Sequence, residues 1–303
     1  MSRRNKKGRE ISGIVLLDKD TGLSSNAALQ QVKRLFFAKK AGHTGSLDPL
    51  ASGILPICLG QSTKVAGYLL NANKHYFVRA QLGVTTTTGD SEGEVINKAN
   101  YQHISSQEIE KVVNGFIGSI EQVPPMYSAL KKDGQPLYKL ARKGIEVERE
   151  ARKVEIFDIH SVEYTKGVLS MSVHCSKGTY IRTLIEDIGQ RLGCGAHVIT
   201  LRRTGFANLA IEDAMTFAKL QALKEKSFEA LDEALLHSEV LLTDMDEVFL
   251  DESQTSEIKF GRSIQLLPKE RTTQVKLFDH EKKFIGIGKT SKVGEIAPKR
   301  LFV

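Results

Sequence analysis

The 303-residue chain has no tryptophan, only three cysteines and seven prolines, and no long apolar run. Its longest apolar stretches, such as Ile54–Leu59, fall far short of the ~20 residues that a membrane-spanning helix needs. Cys58, Cys175 and Cys194 are odd in number, scattered and without metal-ligand spacing, which excludes a disulfide scaffold and a cysteine zinc site. The pattern predicts buried thiols in a reducing cytoplasm. Residues 1–9 are basic but no apolar core follows them, so no secretory signal is expected. The Lys19-Asp20-Thr21-Gly22-Leu23-Ser24-Ser25 turn resembles a phosphate cradle only superficially, because it lacks the order of a nucleotide-binding loop. Internal repeats and low-complexity segments are also missing.

What is present is an ordinary globular composition, 41% hydrophobic and 26% charged, long enough for a large domain plus a small one. The net charge of +7 is unevenly spread. Residues 1–9 carry +5, residues 124–153 carry +4 and residues 282–303 carry +5, leaving −7 for the remainder. Basic patches on an acidic body suit a polyanionic partner, and they also suit solvated ends and loops.

Apolar periodicity places strands over Ile14–Leu17, Ile54–Leu59, Lys74–Leu82 and Val198–Phe206, with a hairpin of Val154–Tyr164 and Val168–Cys175. Helices are expected from Ser24-Ser25 to Phe37, over Ser62–Leu70, over Ser105–Phe116 and from about Ile181 to Gly193. Two more are expected over Met215–Leu223 and Phe228–Leu236. If Thr179 caps the 181–193 helix, Arg182 falls at its third position. There its charge opposes the helix dipole by about 0.3–1 kcal/mol, a cost that calls for a nearby anion. Residues 124–153 interleave prolines, tyrosines and basic residues, as in an RNA-contacting arm or a loose surface insertion. From about Leu242 short β-like runs separate Gly-, Lys- and Asp-rich turns, which predicts a small β-rich module of about sixty residues.

The stretch with the densest chemistry is Gly42-His43-Thr44-Gly45-Ser46-Leu47-Asp48-Pro49-Leu50-Ala51-Ser52-Gly53. Its glycines and proline make it a loop, and an aspartate before proline is displayed from extended backbone. Taken alone, Asp48 could simply bond neighbouring amides in a turn. Lys19 could be a surface turn residue or a cation at the edge of a site, and Tyr76 could belong to the core.

These residues together resemble the TruB-type tRNA pseudouridine synthases. The Gly42–Gly53 loop resembles the family signature around its catalytic aspartate, which falls on Asp48. Lys19 within Leu17–Ser25, Tyr76 in Lys74-His75-Tyr76, Tyr180-Ile181-Arg182 after Lys177-Gly178-Thr179, and Leu201-Arg202-Arg203-Thr204 follow in the family's order. The resemblance covers roughly residues 12–210, and the C-terminal segment resembles a PUA RNA-binding module more weakly.

The resemblance implies an α+β fold, with a bent, mostly antiparallel mixed sheet flanked by helices over residues 10–240. A PUA-like domain over 243–303 is implied beside it. The activity implied is conversion of uridine 55 in the tRNA T loop to pseudouridine, with no cofactor and no metal. tRNA is the implied partner, without membrane or protein partners, for a stand-alone monomer. An RNA-binding or tRNA-folding protein in which catalysis is secondary is the other reading. Asp48, Tyr76, Arg182 and Tyr180 are the implied catalytic residues. His43, Lys19, Tyr76, Tyr180, Leu201 and Arg142 are the implied RNA contacts. Arg182 would hold Asp48 ionised and aim it. Tyr76 would stack on the extruded uracil, with Leu201 against its ring. His43 would fill the space the base leaves, and Tyr180 would relay a proton near C5. Whether Asp48 attacks C1′ or C6, or assists removal of the C2′ proton, is left open by the sequence.

Overall fold

The computed structural model describes residues 7–243, 245–266 and 273–302. Most of the basic 1–9 stretch therefore lies outside the described residues. The chain opens with β1 (Gly13–Lys19), almost wholly buried, as expected of an apolar run covered on both faces. The Ser24 hydroxyl accepts from the Ala27 amide and caps α1 (Ser25–Leu35), which buries Ala28, Leu29 and Val32. β2 (Ala41–His43) and β3 (Ser52–Leu59) flank the Asp48 loop. A 3₁₀ turn at Gly60–Lys64 and α2 (Ala66–Leu69) replace the single helix expected over 62–70.

β4 (Lys74–Leu82) alternates strictly, with Lys74, Tyr76, Val78, Ala80 and Leu82 facing inward. The 85–94 stretch, read as a loop, begins in a small hairpin of β5 (Val84–Thr86) and β6 (Val95–Lys98). α3 (Ser106–Asn114) follows its Ser105 cap and leads to β7 (Gly118–Gln122). The arm contains a two-residue hairpin, β8 (Lys131–Lys132) with β9 (Gln135–Pro136), and one short helix, α4 (Leu137–Ala141). β10 (Arg152–Thr165) and β11 (Val168–Cys175) form the expected hairpin through Lys166 and Gly167. α5 (Ile181–Arg191) starts after Tyr180, not Thr179. The Thr179 hydroxyl is spent on the Ser176 carbonyl, so Arg182 is the second helical residue. β12 (Ala196–Phe206), β13 (Leu209–Ala210), β14 (Met215–Thr216), α6 (Phe217–Lys226) and α7 (Phe228–Asp232) complete this part.

The main sheet runs β14-β1-β3-β12-β4-β11-β10-β7, with β2 added to β3 and β13 to β12. Only the β1–β14 and β3–β12 pairings are parallel, so the sheet is mixed and mostly antiparallel. One face packs into the main core with Val32, Ile109, Leu184, Ile188, Leu220 and Leu231 from the helices.

The C-terminal unit is a second sheet, β15-β17-β18-β19-β16: β15 (Asp246–Phe249), β16 (Ile264–Gln265), β17 (Gln274–Phe278), β18 (Phe284–Thr290) and β19 (Glu295–Leu301). It also contains α8 (Glu252–Lys259), which the β-like grammar of this region did not suggest. The signal was there, because Asp251 and Gln254 form a reciprocal capping box. Ile287, with Phe284 and Phe302 beside it, packs into the apolar cluster of Ile14, Leu16, Ile54 and Cys58 behind β1 and β3. Lys64 adds a hydrogen bond to the Leu301 carbonyl. The unit is thus fastened to the back of the main sheet by burial.

Candidate active site

The Gly42–Gly53 loop leaves β2 and returns through β3, and the fold grips it along its length. The Thr44 amide donates to the Pro56 carbonyl at 3.2 Å, and the Gly22 amide donates to the Pro49 carbonyl at 2.8 Å. Ser25 sits at the first position of α1, and its hydroxyl accepts from the Leu47 amide at 2.7 Å and donates to the Leu47 carbonyl at 2.9 Å. Inside the loop the Ala51 amide donates to the Asp48 carbonyl at 3.1 Å. At Gly53, φ is +99° and a Cβ would lie 2.2 Å from the Arg203 carbonyl oxygen, so only glycine lets β3 approach β12 here.

Arg203 closes the far side. It is 1% exposed and donates from Nε to the Ile54 carbonyl at 2.7 Å and from Nη2 to the Gly45 carbonyl at 2.8 Å. Its neighbour Arg202 points to the other face of β12 and pairs with Asp18 at 2.8 Å. Period-two alternation thus gives adjacent arginines separate tasks.

Asp48 and Arg182 meet as an ion pair, Oδ2 to Nη2 at 2.9 Å, with side chains 42% and 5% exposed respectively. The same Nη2 donates to the Tyr127 carbonyl at 2.7 Å. Nη1 donates to the Thr88 carbonyl at 2.8 Å and faces Asp90 Oδ2 at 3.6 Å. Asp90 is itself buried, with Oδ1 accepting from Thr88 Oγ1 at 2.6 Å and from the Glu92 amide at 3.1 Å. The anion that Arg182 required at its helix start is therefore a pair of aspartates. Burial raises the Asp48 carboxyl above the ordinary aspartate range, and Arg182 pulls it back while Asp90 pushes it further up.

Around this pair lies an open cleft of about 350 Å³. Asp48, Tyr76, Tyr180, Arg182 and Leu201 all line it, so five of the sequence candidates converge on one concave surface. Tyr76 comes from the inward face of β4, opposite Arg203 of β12 in register. Tyr180, at the cap of α5, is fixed by Gln122, whose Oε1 accepts its amide at 3.0 Å and whose Nε2 donates to its carbonyl at 3.3 Å. Burial raises both phenols, which therefore remain protonated at neutral pH.

The other three candidates lie elsewhere. Lys19 is 1% exposed and donates to the carbonyls of Asp20 and Leu23, both at 2.8 Å, locking the turn that holds Pro49. Burial lowers its ammonium to about 8. His43 is half-buried beside the loop, and burial and Arg203 both lower its pKa. Arg142 is exposed on the arm, 5.8 Å from the Tyr138 ring. Sequence reasoning missed Asp90, hidden in a run of turn residues, and Lys74 and Arg203, which also line the cleft. Only the Thr-Gly-Asp-Ser-Glu turn chemistry pointed to Asp90. Nothing in local spacing singled out Arg203 from Arg202. Among the described residues, no group of His, Cys, Asp and Glu is placed to hold a metal ion.

Comparison with known proteins places this cleft in context. Residues 33–181 match a family model described as the N-terminal domain of the TruB family pseudouridylate synthases. Residues 182–243 match a tRNA pseudouridylate synthase B C-terminal domain, and residues 247–302 match a TruB C-terminal model of pseudouridine synthase II. The protein named tRNA pseudouridine synthase B from Nitrosococcus oceani is 49% identical over 299 residues, covering 99% of this chain and 97% of its own. Its namesake from Vibrio campbellii is 47% identical over 308 residues, covering 99% and 98%. Among solved structures, a Cbf5-Nop10-Gar1 complex superposes with a TM-score of 0.72 at 24% identity, covering 96% of this chain and 85% of that one. At that identity the likeness speaks for the fold.

Proposed function

This chain belongs to the TruB family of pseudouridylate synthases, and we propose that it isomerises uridine 55 in the T loop of tRNA. The family relatives named tRNA pseudouridine synthase B support tRNA pseudouridylation as the reaction. The observation that carries the mechanism is the Asp48–Arg182 ion pair of 2.9 Å, set beside two tyrosines in an open cleft.

The reaction breaks the N1–C1′ bond, turns the uracil and joins C5 to C1′, so bonds and electrons balance within the nucleotide. The base must first leave the RNA stack, which costs a few kcal/mol and is repaid by contacts in a pocket. Tyr76 and Leu201 supply the apolar walls for the extruded ring. Asp48 acts in its ionised form, with Oδ2 held by Arg182 and its other edge toward the cleft, beside the ribose. Arg182 is a positioning residue for that carboxylate. Tyr180, protonated at neutral pH, serves as a relay, taking up the proton that leaves C5 as it passes its own phenolic proton on to N1 or to solvent.

Lys19 acts from behind by fixing the loop. His43, neutral at pH 7, occupies space vacated by the base, and Arg142 contacts phosphates from the 124–153 arm. We read residues 10–240 as the catalytic domain and 243–303 as a PUA-like RNA-binding domain, acting as a monomer in the cytoplasm. No described helix is long and apolar enough to cross a membrane.

The test is incubation of the purified protein with an unmodified T-arm stem-loop, followed by mapping of pseudouridine. Wild type should modify the uridine at position 55, and Asp48→Ala should form none. Product at another position would overturn the site choice, and product from Asp48→Ala would overturn the mechanism.

A further inference from the structure

Lys74, in the cleft, and Lys177, exposed beside it, have no role in the chemistry above. Lys74 lines the cleft but is only 7% exposed. Its ammonium donates to the Ala72 carbonyl and, at 3.5 Å, to the Leu70 carbonyl, and it stands 5.3 Å from the centre of the Phe206 ring, so none of its partners carries a negative charge. Lys177 reaches the same segment from the opposite strand end, donating to Asn71 Oδ1 at 2.8 Å. Among the described residues neither lysine forms an ion pair.

Lys177 belongs to the Ser176–Thr179 turn, whose Ser176, Gly178 and Thr179 line the cleft. Gly178 has φ +82°, and nothing lies within 4 Å of where its Cβ would stand, so the turn opens onto free space. A left-handed residue just before a helix start is a common backbone shape for holding an anion.

We propose that Lys74, Lys177 and the Ser176–Thr179 turn form a subsite for one phosphodiester of the RNA strand next to the flipped uridine. The proposal rests on the tRNA reading given above. A buried ammonium with no carboxylate partner is costly, and it is retained where a ligand completes its coordination. Here burial, Arg203 and Lys177 lower the Lys74 pKa to about 8, against an opposing pull from Cys175. An incoming phosphate offsets each of these effects. A neutral base edge or sugar hydroxyl would not, so the strand's charge is what the site recognises.

The test measures equilibrium binding of a T-arm stem-loop across a salt series, with wild type, Lys74→Met, Lys74→Arg and Lys177→Ala. Each lost phosphate contact should flatten the plot of log K against log salt by about 0.7. Lys74→Met should weaken binding about tenfold at moderate salt, and Lys74→Arg should restore most of it. RNAs carrying a neutral methylphosphonate on either side of the target uridine test the ligand directly. One of the two should bind wild type more weakly and show no further loss with Lys74→Met.

Unchanged salt slopes in both lysine variants at wild-type Tm would overturn the proposal. So would an equal methylphosphonate loss in wild type and Lys74→Met. If Lys74→Met fails to fold, the exposed Lys177→Ala and the methylphosphonate series on wild type decide. Wild-type turnover of the same RNA keeps the two readings apart. Product with an unaltered slope removes the subsite alone, whereas absence of product removes the tRNA reading and the subsite with it.

Discussion

Replacing Arg182 by lysine keeps the positive charge and removes the geometry. The two terminal guanidinium nitrogens carry two protons each and face four acceptors, namely the Thr88 and Tyr127 carbonyls, Asp48 Oδ2 and Asp90 Oδ2. A lysine ammonium has three protons on one atom and cannot span both sides of that set. At least one buried acceptor is then orphaned, at a cost of roughly 1–3 kcal/mol. Asp48 also loses the group that aims it, and loss of one preorganised donor at a reacting centre typically slows chemistry by about 10²–10³-fold. The expected result is a single-turnover rate at saturating T-arm RNA reduced by about that factor, with RNA affinity changed far less and Tm lowered by several degrees. The guanidinium is 5% exposed and spent on protein acceptors, so affinity is the control. A variant as fast as wild type, or one whose only defect is RNA binding, would refute the reasoning.

The raised carboxyl of Asp48 predicts an acid limb in the single-turnover rate at a pH above the ordinary aspartate value, since the ionised form is the active one and is lost as pH falls through the folded pKa. A rate still flat at the pH where a free aspartate titrates would contradict it. For an acid, a folded pKa above the unfolded one means that ionisation opposes folding at higher pH. Asp48→Asn should therefore melt no lower than wild type at pH 7, with any advantage fading toward acid in a calorimetric pH series. Gly53→Ala forces a methyl to 2.2 Å from the Arg203 carbonyl oxygen at a φ that alanine resists. It should cost more than about 4 kcal/mol in urea unfolding or prevent folding altogether.

The sequence made the strands of the main sheet legible because each is a continuous or alternating apolar run with turn chemistry at its ends. β4 appeared at its observed bounds, and the β10–β11 hairpin turned where Lys166-Gly167 said it would. The helix at 62–70 was misread because its residues fit helical spacing while a 3₁₀ turn starts them two residues early. The family resemblance is what joined Asp48 to Arg182. From the residues alone one was a displayed carboxylate that a turn could equally hold, and the other a cation at a helix start that needed an anion. Asp90 and Arg203 escaped because their importance comes from long-range closure. Arg203 bonds residues about 150 positions earlier, at Ile54 and Gly45, and no local pattern encodes such a reach.

The same bonds explain how labour is divided around the cleft. Asp48 sits on a loop fixed by the Ser25 hydroxyl at the start of α1, the Gly22 amide in the turn before it and the Arg203 guanidinium from β12. Lys19 secures the turn that carries Gly22, so its buried charge serves the loop's position from beneath. The arm joins this assembly at the Tyr127 carbonyl, which shares Arg182 Nη2 with Asp48, and at Ser128, whose hydroxyl faces the Tyr180 phenol. A carboxylate that acts on a bound nucleotide gains most from being placed before the substrate arrives, because reorganisation at the moment of reaction then costs nothing. An arm with the proposed RNA-contacting role gains most from adapting to a flexible strand. A rigid carboxylate beneath an adjustable arm meets both demands. The nitrogen shared by Tyr127 and Asp48 lets arm position reach the charge on Asp48.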